Sequence, residues 1–138
     1  MRILKIIFLS ILVSSNVLAG TNYFNEGLTF YKNKEFDKAK FKFEQDIVFN
    51  PKNEKSYLYL SKIFNKQEKK ELEEKNLNTV ILLNPKNEEA IYNLAKLKLK
   101  DSDFEGSKKL VENLLVFCKK FCQKSQQLKI EIENSLKK

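Results

Sequence analysis

Asn50-Pro51-Lys52-Asn53-Glu54 recurs letter for letter as Asn84-Pro85-Lys86-Asn87-Glu88, and 85 − 51 sets a period of 34 residues. A period of about 20 to 50 residues marks a stacked repeat, whose unit is one supersecondary element too small to bury its apolar face alone. The pentapeptide also shows where the elements break. Proline disfavours helix in the residue before it and has no N–H for the preceding turn, so a helix ends at each Asn-Pro and another starts within Lys-Asn-Glu.

Outward from these junctions the apolar residues run at helical spacing. Tyr23, Gly27 and Phe30 form one stripe; after a break at residues 32–34, Phe36, Ala39, Phe43 and Ile47 form a second, and two antiparallel helices result. Gly27 and Ala39 fall where the two cross, and a side chain larger than methyl there would push the axes apart. Tyr57, Leu60, Ser61 and Phe64 repeat the first stripe 34 residues after Tyr23, Glu26, Gly27 and Phe30. In the return helix, Leu72, Asn76, Leu77, Val80 and Ile81 continue the pattern, but the small-residue column holds Glu73. That predicts a looser or shifted crossing, with the carboxylate turned outward or toward Lys69 or Lys70. A third unit carries Ile91, Leu94, Ala95 and Lys98, then Phe104, Ser107, Val111 and Leu114. Lys119 holds its proline column. Beyond it Leu128, Ile132 and Leu136, at spacing four, predict a helix that covers the open end of the stack.

These columns resemble the tetratricopeptide repeat, a helix-turn-helix unit of 34 residues. Tyr23, Gly27, Phe30, Ala39, Phe43 and Pro51 carry the pattern in the first unit, and Tyr57, Leu60, Ser61, Phe64 and Pro85 carry it in the second. Leu94, Ala95, Phe104 and Ser107 carry it in the third. The expected fold is all-α: a helical solenoid of three such units, about residues 20–53, 54–87 and 88–121, plus a capping helix at about 123–137. The resemblance implies a concave groove, lined by the first helix of each unit, that binds peptides or protein segments in a scaffold or adaptor. One peptide-binding version of the family uses a carboxylate clamp; the corresponding positions here are Phe24, Leu28, Lys62, Glu89 and Asn93, of which only Lys62 is a cation.

Composition narrows the function. With 42% hydrophobic and 32% charged residues, 138 residues suit one soluble domain, and 3 Gly with 2 Pro leave little for the turns of a many-stranded sheet. Residues 1–19 read as an export signal: Arg2 and Lys5, the apolar run Ile6 to Val13, then Val17-Leu18-Ala19 before Gly20. The expected location is the periplasm or cell envelope, or outside the cell, with membrane contact only if the signal is retained. Removing Arg2 and Lys5 lowers the net charge from +8 to 8 − 2 = +6. Arg2 is the only arginine, so the mature chain lacks the guanidinium fork that reads phosphates and guanine edges, and no nucleic-acid partner is expected. There is no His, no Gly-rich loop and no nucleophile with a base, so neither an enzyme nor a cofactor or metal is expected.

Within the groove, Tyr59, Lys62, Tyr92 and Lys96 are expected to form the centre of a peptide site, with Lys66 and Lys100, in line with Lys32, as a lysine ladder at its edge. Aromatics beside ammonium groups suit an extended segment with apolar side chains and some Asp or Glu. Burial between units and a solvated lysine face are the competing readings. Two others for the whole protein are a structural subunit of an envelope assembly that uses its outer face, and a binder of an anionic cell-wall or lipid ligand. Cys118 and Cys122 read either as a disulfide, which needs a turn at Lys119 to Phe121, or as two buried thiols.

Overall fold

Asn22, Asn53 and Asn87 each open a helix, their side-chain oxygens accepting the N–H of Asn25, Lys55 and Ala90. These caps satisfy donors that a first turn leaves without intrahelical partners. In the computed structural model, which describes residues 22–137, the three are α1 (Tyr23–Lys32), α3 (Glu54–Lys66) and α5 (Glu88–Lys100). The return helices are α2 (Phe36–Phe49), α4 (Lys70–Leu83) and α6 (Phe104–Phe117), and α7 (Cys122–Leu136) follows. The export signal read over residues 1–19 lies outside the described residues. Among the described residues there is no strand, and no helix is long and apolar enough to cross a membrane.

The turns inside the units share one device. Lys34, Glu68 and Ser102, again 34 apart, adopt positive φ of 63°, 57° and 62°. The next residue's N–H then reaches back to the carbonyls of Phe30, Phe64 and Lys98 at 2.9, 3.0 and 2.9 Å, closing each helix end.

The core is a series of three clusters, each joining one unit to the next. Ala39 and Phe43 of the first return helix meet Leu60, Ile63 and Phe64; Leu58 meets Leu77, Val80, Ala90 and Leu94; Ala95 and Val111 meet Leu128 and Ile132 of α7. Where α1 crosses α2, a Cβ at Gly27 would lie 2.6 Å from Cε1 of Phe43, so even a methyl group is too large there.

The identical junctions are held differently. At the first, buried Asp46 accepts hydrogen bonds from Asn50 Nδ2 (3.1 Å), Asn53 Nδ2 (2.6 Å) and Ser56 Oγ (2.5 Å). At the second the equivalents of Asp46 and Ser56 are Val80 and Ala90, both fully buried, and Asn84 donates instead to Glu54 at 3.1 Å. At the third, Glu88 accepts the N–H groups of Lys119, Lys120 and Phe121 at 2.9, 2.8 and 2.8 Å. A proline in that column would have no N–H to give, which accounts for Lys119. Cys118 and Cys122 bracket the same loop and are joined by a disulfide.

Two local expectations for the second unit fail. Glu73 is buried at 5% exposure and turns neither outward nor toward Lys69 or Lys70; Asn65 Nδ2 donates to both of its oxygens at 3.0 Å. Lys70 pairs with Asp101 instead. The α3–α4 pairing is as extensive as those of the other two units: the carboxylate, bonded by Asn65 and turned to the cavity wall, does not wedge the helices apart.

Candidate functional site

Lys62 and Lys66 lie one turn apart on α3, Lys96 and Lys100 one turn apart on α5, and each residue of the second pair follows its counterpart by one repeat. Spacing of four keeps each pair on one helix face, and the stacking of units sets the faces side by side. The four lysines therefore line one open cavity of about 300 Å³. Tyr31 of α1, Asn65 of α3, Glu73 of α4, and Glu89 and Asn93 of α5 share its wall. Four lysines and two carboxylates leave this wall a formal 4 − 2 = +2.

The four cations are not equivalent. Lys62 is engaged, with Nζ 2.7 Å from Glu89 Oε1 and 4.7 Å from the ring centre of Tyr59. Among the described residues no carboxylate oxygen lies within 4.0 Å of the ammonium groups of Lys66, Lys96 or Lys100. Lys66 stands over the Phe36 ring and Lys96 over that of Tyr92, at 5.3 and 5.9 Å. Burial pushes the Glu73 carboxyl above the ordinary carboxylate range; the Asn65 hydrogen bond and the charges of Lys100 and Lys96 oppose the shift. Burial likewise raises the Tyr31 phenol, against the pull of Lys62.

Tyr59 and Tyr92 are set back from the cavity. Tyr59 is packed among Tyr31, Phe43 and Phe24 with ring centres 5.0, 5.2 and 6.0 Å away, and Tyr92 lies 5.3 Å from Phe121. Each is half-buried and lies as a platform beneath its lysine, about one turn of helix along. Lys32 does not line the cavity either. Glu73 as part of the wall was missed, although a charged residue in a small-residue column is itself a signal. Among the described residues, no group of three or more His, Cys, Asp or Glu side chains is placed to hold a metal ion.

No protein-family model and no curated protein sequence matches the chain. Solved structures do match. The translocator chaperone SycD of Yersinia enterocolitica type III secretion superposes with a TM-score of 0.77 at 10% identity, covering 94% of this chain and 94% of that one. SycD in complex with a peptide of the translocator YopD gives 0.75 at 12% identity, over 90% and 98%. The first tetratricopeptide domain of Spaghetti (RPAP3), bound to the HSP90 peptide SRMEEVD, gives 0.74 at 17% identity, over 84% and 91%. At such identities the likeness speaks for the fold: the chain is a tetratricopeptide-like helical repeat.

Proposed function

We propose that this chain is a protein–protein interaction module, a scaffold or adaptor that holds an extended peptide or protein segment along the face formed by α1, α3 and α5. The segment offers Asp or Glu to Lys66, Lys96 and Lys100 and apolar side chains between them. The observation that carries this reading is the lysine cluster itself: four lysines line one cavity, and among the described residues three of them have no carboxylate at salt-bridge distance. Peptides seen with SycD and with RPAP3 support the class of occupant. No side chain of the cavity pairs a nucleophile with a base, so the role is capture and not turnover. We place this module in the cell envelope after export. The sequence pattern of residues 1–19 supports that location, and so does the Cys118–Cys122 disulfide, since such bonds persist in oxidising compartments.

The test is fluorescence anisotropy with a labelled peptide of alternating Leu and Glu. Lys66→Gln, Lys96→Gln and Lys100→Gln together should weaken binding about 10- to 100-fold, at up to ~1 kcal/mol per exposed ion pair. Circular dichroism should stay that of the parent. Equal binding by parent and variant, insensitive to salt, would remove the groove as the site. Fractionation of the native cell, with mass measurement after thiol alkylation, tests the location.

A further inference from the structure

The return helices end on a second periodic feature, on the outside of the stack. Val48-Phe49, Leu82-Leu83 and Val116-Phe117 close α2, α4 and α6, one repeat apart. Val48, Leu82 and Val116 are 74%, 81% and 84% exposed, the highest values among the exposed large hydrophobic residues of the described chain. Repetition at the unit period places them in a row along the edge where the units join. Single exposed apolar residues are ordinary, but an aligned row of them is a contact surface.

A row of lysines runs beside it. Lys52, Lys86 and Lys120 follow the three pairs at the same offset in each junction, and all three are exposed. Three carboxylates of the junctions are turned to bonds within the fold: Asp46 accepts from Asn50, Asn53 and Ser56, Glu54 from Asn84, and Glu88 from the amides of residues 119–121. The edge is thus apolar tips flanked by exposed lysines, and among the described residues no carboxylate oxygen lies within 4.0 Å of the ammonium groups of Lys52, Lys86 or Lys120.

We propose that this edge docks on an anionic phospholipid bilayer, with Val48, Leu82 and Val116 entering the boundary between headgroups and acyl chains and Lys52, Lys86 and Lys120 at the level of the phosphates. Both halves of the surface are matched by such a layer: apolar area by the acyl boundary, ammonium groups by a negative surface potential. A second copy of this chain fits less well, because an isologous contact brings lysine row toward lysine row along with the apolar tips. The orientation also leaves the groove open, since Lys66 and Lys100 are the last residues of α3 and α5, at the opposite edge from the junctions. Helix α1 starts on the docking edge, where Tyr23 stacks on Phe49 at 5.5 Å between ring centres.

The chain has no tryptophan, so Leu82→Trp puts a lone reporter on the edge and Glu105→Trp puts one at the start of α6, on the far edge. Both are made in the full chain and mixed with phosphatidylcholine vesicles with or without phosphatidylglycerol. The anionic vesicles should move the emission of the Leu82→Trp protein to shorter wavelength, and brominated lipid should quench it; the Glu105→Trp protein should show neither. Lys52→Ala, Lys86→Ala and Lys120→Ala together should lower partitioning on the order of 100-fold, each lysine near an anionic surface contributing roughly a factor of five. Three results overturn the proposal. One is equal quenching of both reporters, and another is equal binding to neutral vesicles. The third is a response in lipid-free buffer that grows with protein concentration, which would assign the edge to a second copy.

Discussion

Gly27 has less room than its column suggests. An added Cβ would stand 2.6 Å from Cε1 and 2.8 Å from Cδ1 of Phe43, a fully buried ring stacked on Tyr59 at 5.2 Å, so the ring cannot swing away without breaking that stack. Overpacking of this kind costs about 1–3 kcal/mol, against up to ~1 kcal/mol regained from the better helix propensity of alanine. Gly27→Ala should therefore lose about 1–2 kcal/mol, read as a lower urea midpoint at unchanged slope. Glu88 makes a prediction in pH. Its three amide donors, that of Phe121 foremost, hold its carboxyl below the ordinary range. A depressed folded value means that the ionised form is favoured by folding; the stability it contributes is present above the unfolded value of 4.5 and lost as pH falls through the lower folded one. Glu88→Gln should be less stable than the parent at neutral pH, with the gap closing in acid. A gap of the same size at every pH would show that the charge plays no part. Lys119→Pro, the substitution that the repeat itself suggests, should also destabilise, because it removes the N–H that meets Glu88 Oε1.

At the scale of elements, the turns between paired helices hold a reserve of stability. Lys34, Glu68 and Ser102 occupy the left-handed region, which costs an L-residue with a Cβ roughly 1–2 kcal/mol and glycine nothing steric. Replacing each with glycine should raise stability by about 0.5–1 kcal/mol once the greater chain entropy of glycine is deducted. The three gains should add to within about 0.5 kcal/mol, since no hydrogen bond or ion pair joins the side chains of Lys34, Glu68 and Ser102 to one another. The helices themselves are legible in the sequence because two devices repeat with them, the Asn-Pro stop and the asparagine cap, and both act locally. The left-handed turns are not legible, since Lys, Glu and Ser carry none of the preference for positive φ that glycine would announce. The lysine cluster is legible for a related reason: the period fixes the azimuth of each side chain on its helix. Depth is another matter. Tyr59 shares a helix face with the groove, yet the rings of Phe24, Tyr31 and Phe43 draw it in among the units. Replacing Tyr59 would thus disturb packing as well as binding, and the lysines give the cleaner test of the groove. Glu73 stayed hidden because nothing local foretells that Asn65, on the facing helix, would meet its carboxylate. Its raised value has the opposite sign to that of Glu88. The ionised form is the costly one, and what Glu73 contributes is present at low pH and lost as pH rises through the folded value. Glu73→Gln should melt higher than the parent at neutral pH, with the advantage fading in acid. It should also bind an acidic peptide more tightly by about fivefold, one fewer negative charge in the wall of a water-filled cavity being worth ~1 kcal/mol.

For the molecule as a whole, the serial arrangement of the three clusters decides how damage spreads. Each cluster draws on adjacent helices only, and α7 completes the last by setting Leu128 and Ile132 against Ala95 and Val111. In such an array stability is a sum of unit terms and nearest-neighbour interfaces, so a lesion at one end weakens the other end only through the units between. Leu128→Ala and Ile132→Ala should each cost about 2–5 kcal/mol at the interface they line, because both side chains are buried and leave cavities. Native-state amide exchange should then show protection falling most in α6 and α7, less in α5, and least in α1 and α2, whose cluster is built on Phe43, Ile63 and Phe64. A globule with one shared core would lose protection evenly along the chain. An even loss would mean that the clusters are energetically one body, and with it would go the premise that each unit leans only on its neighbours.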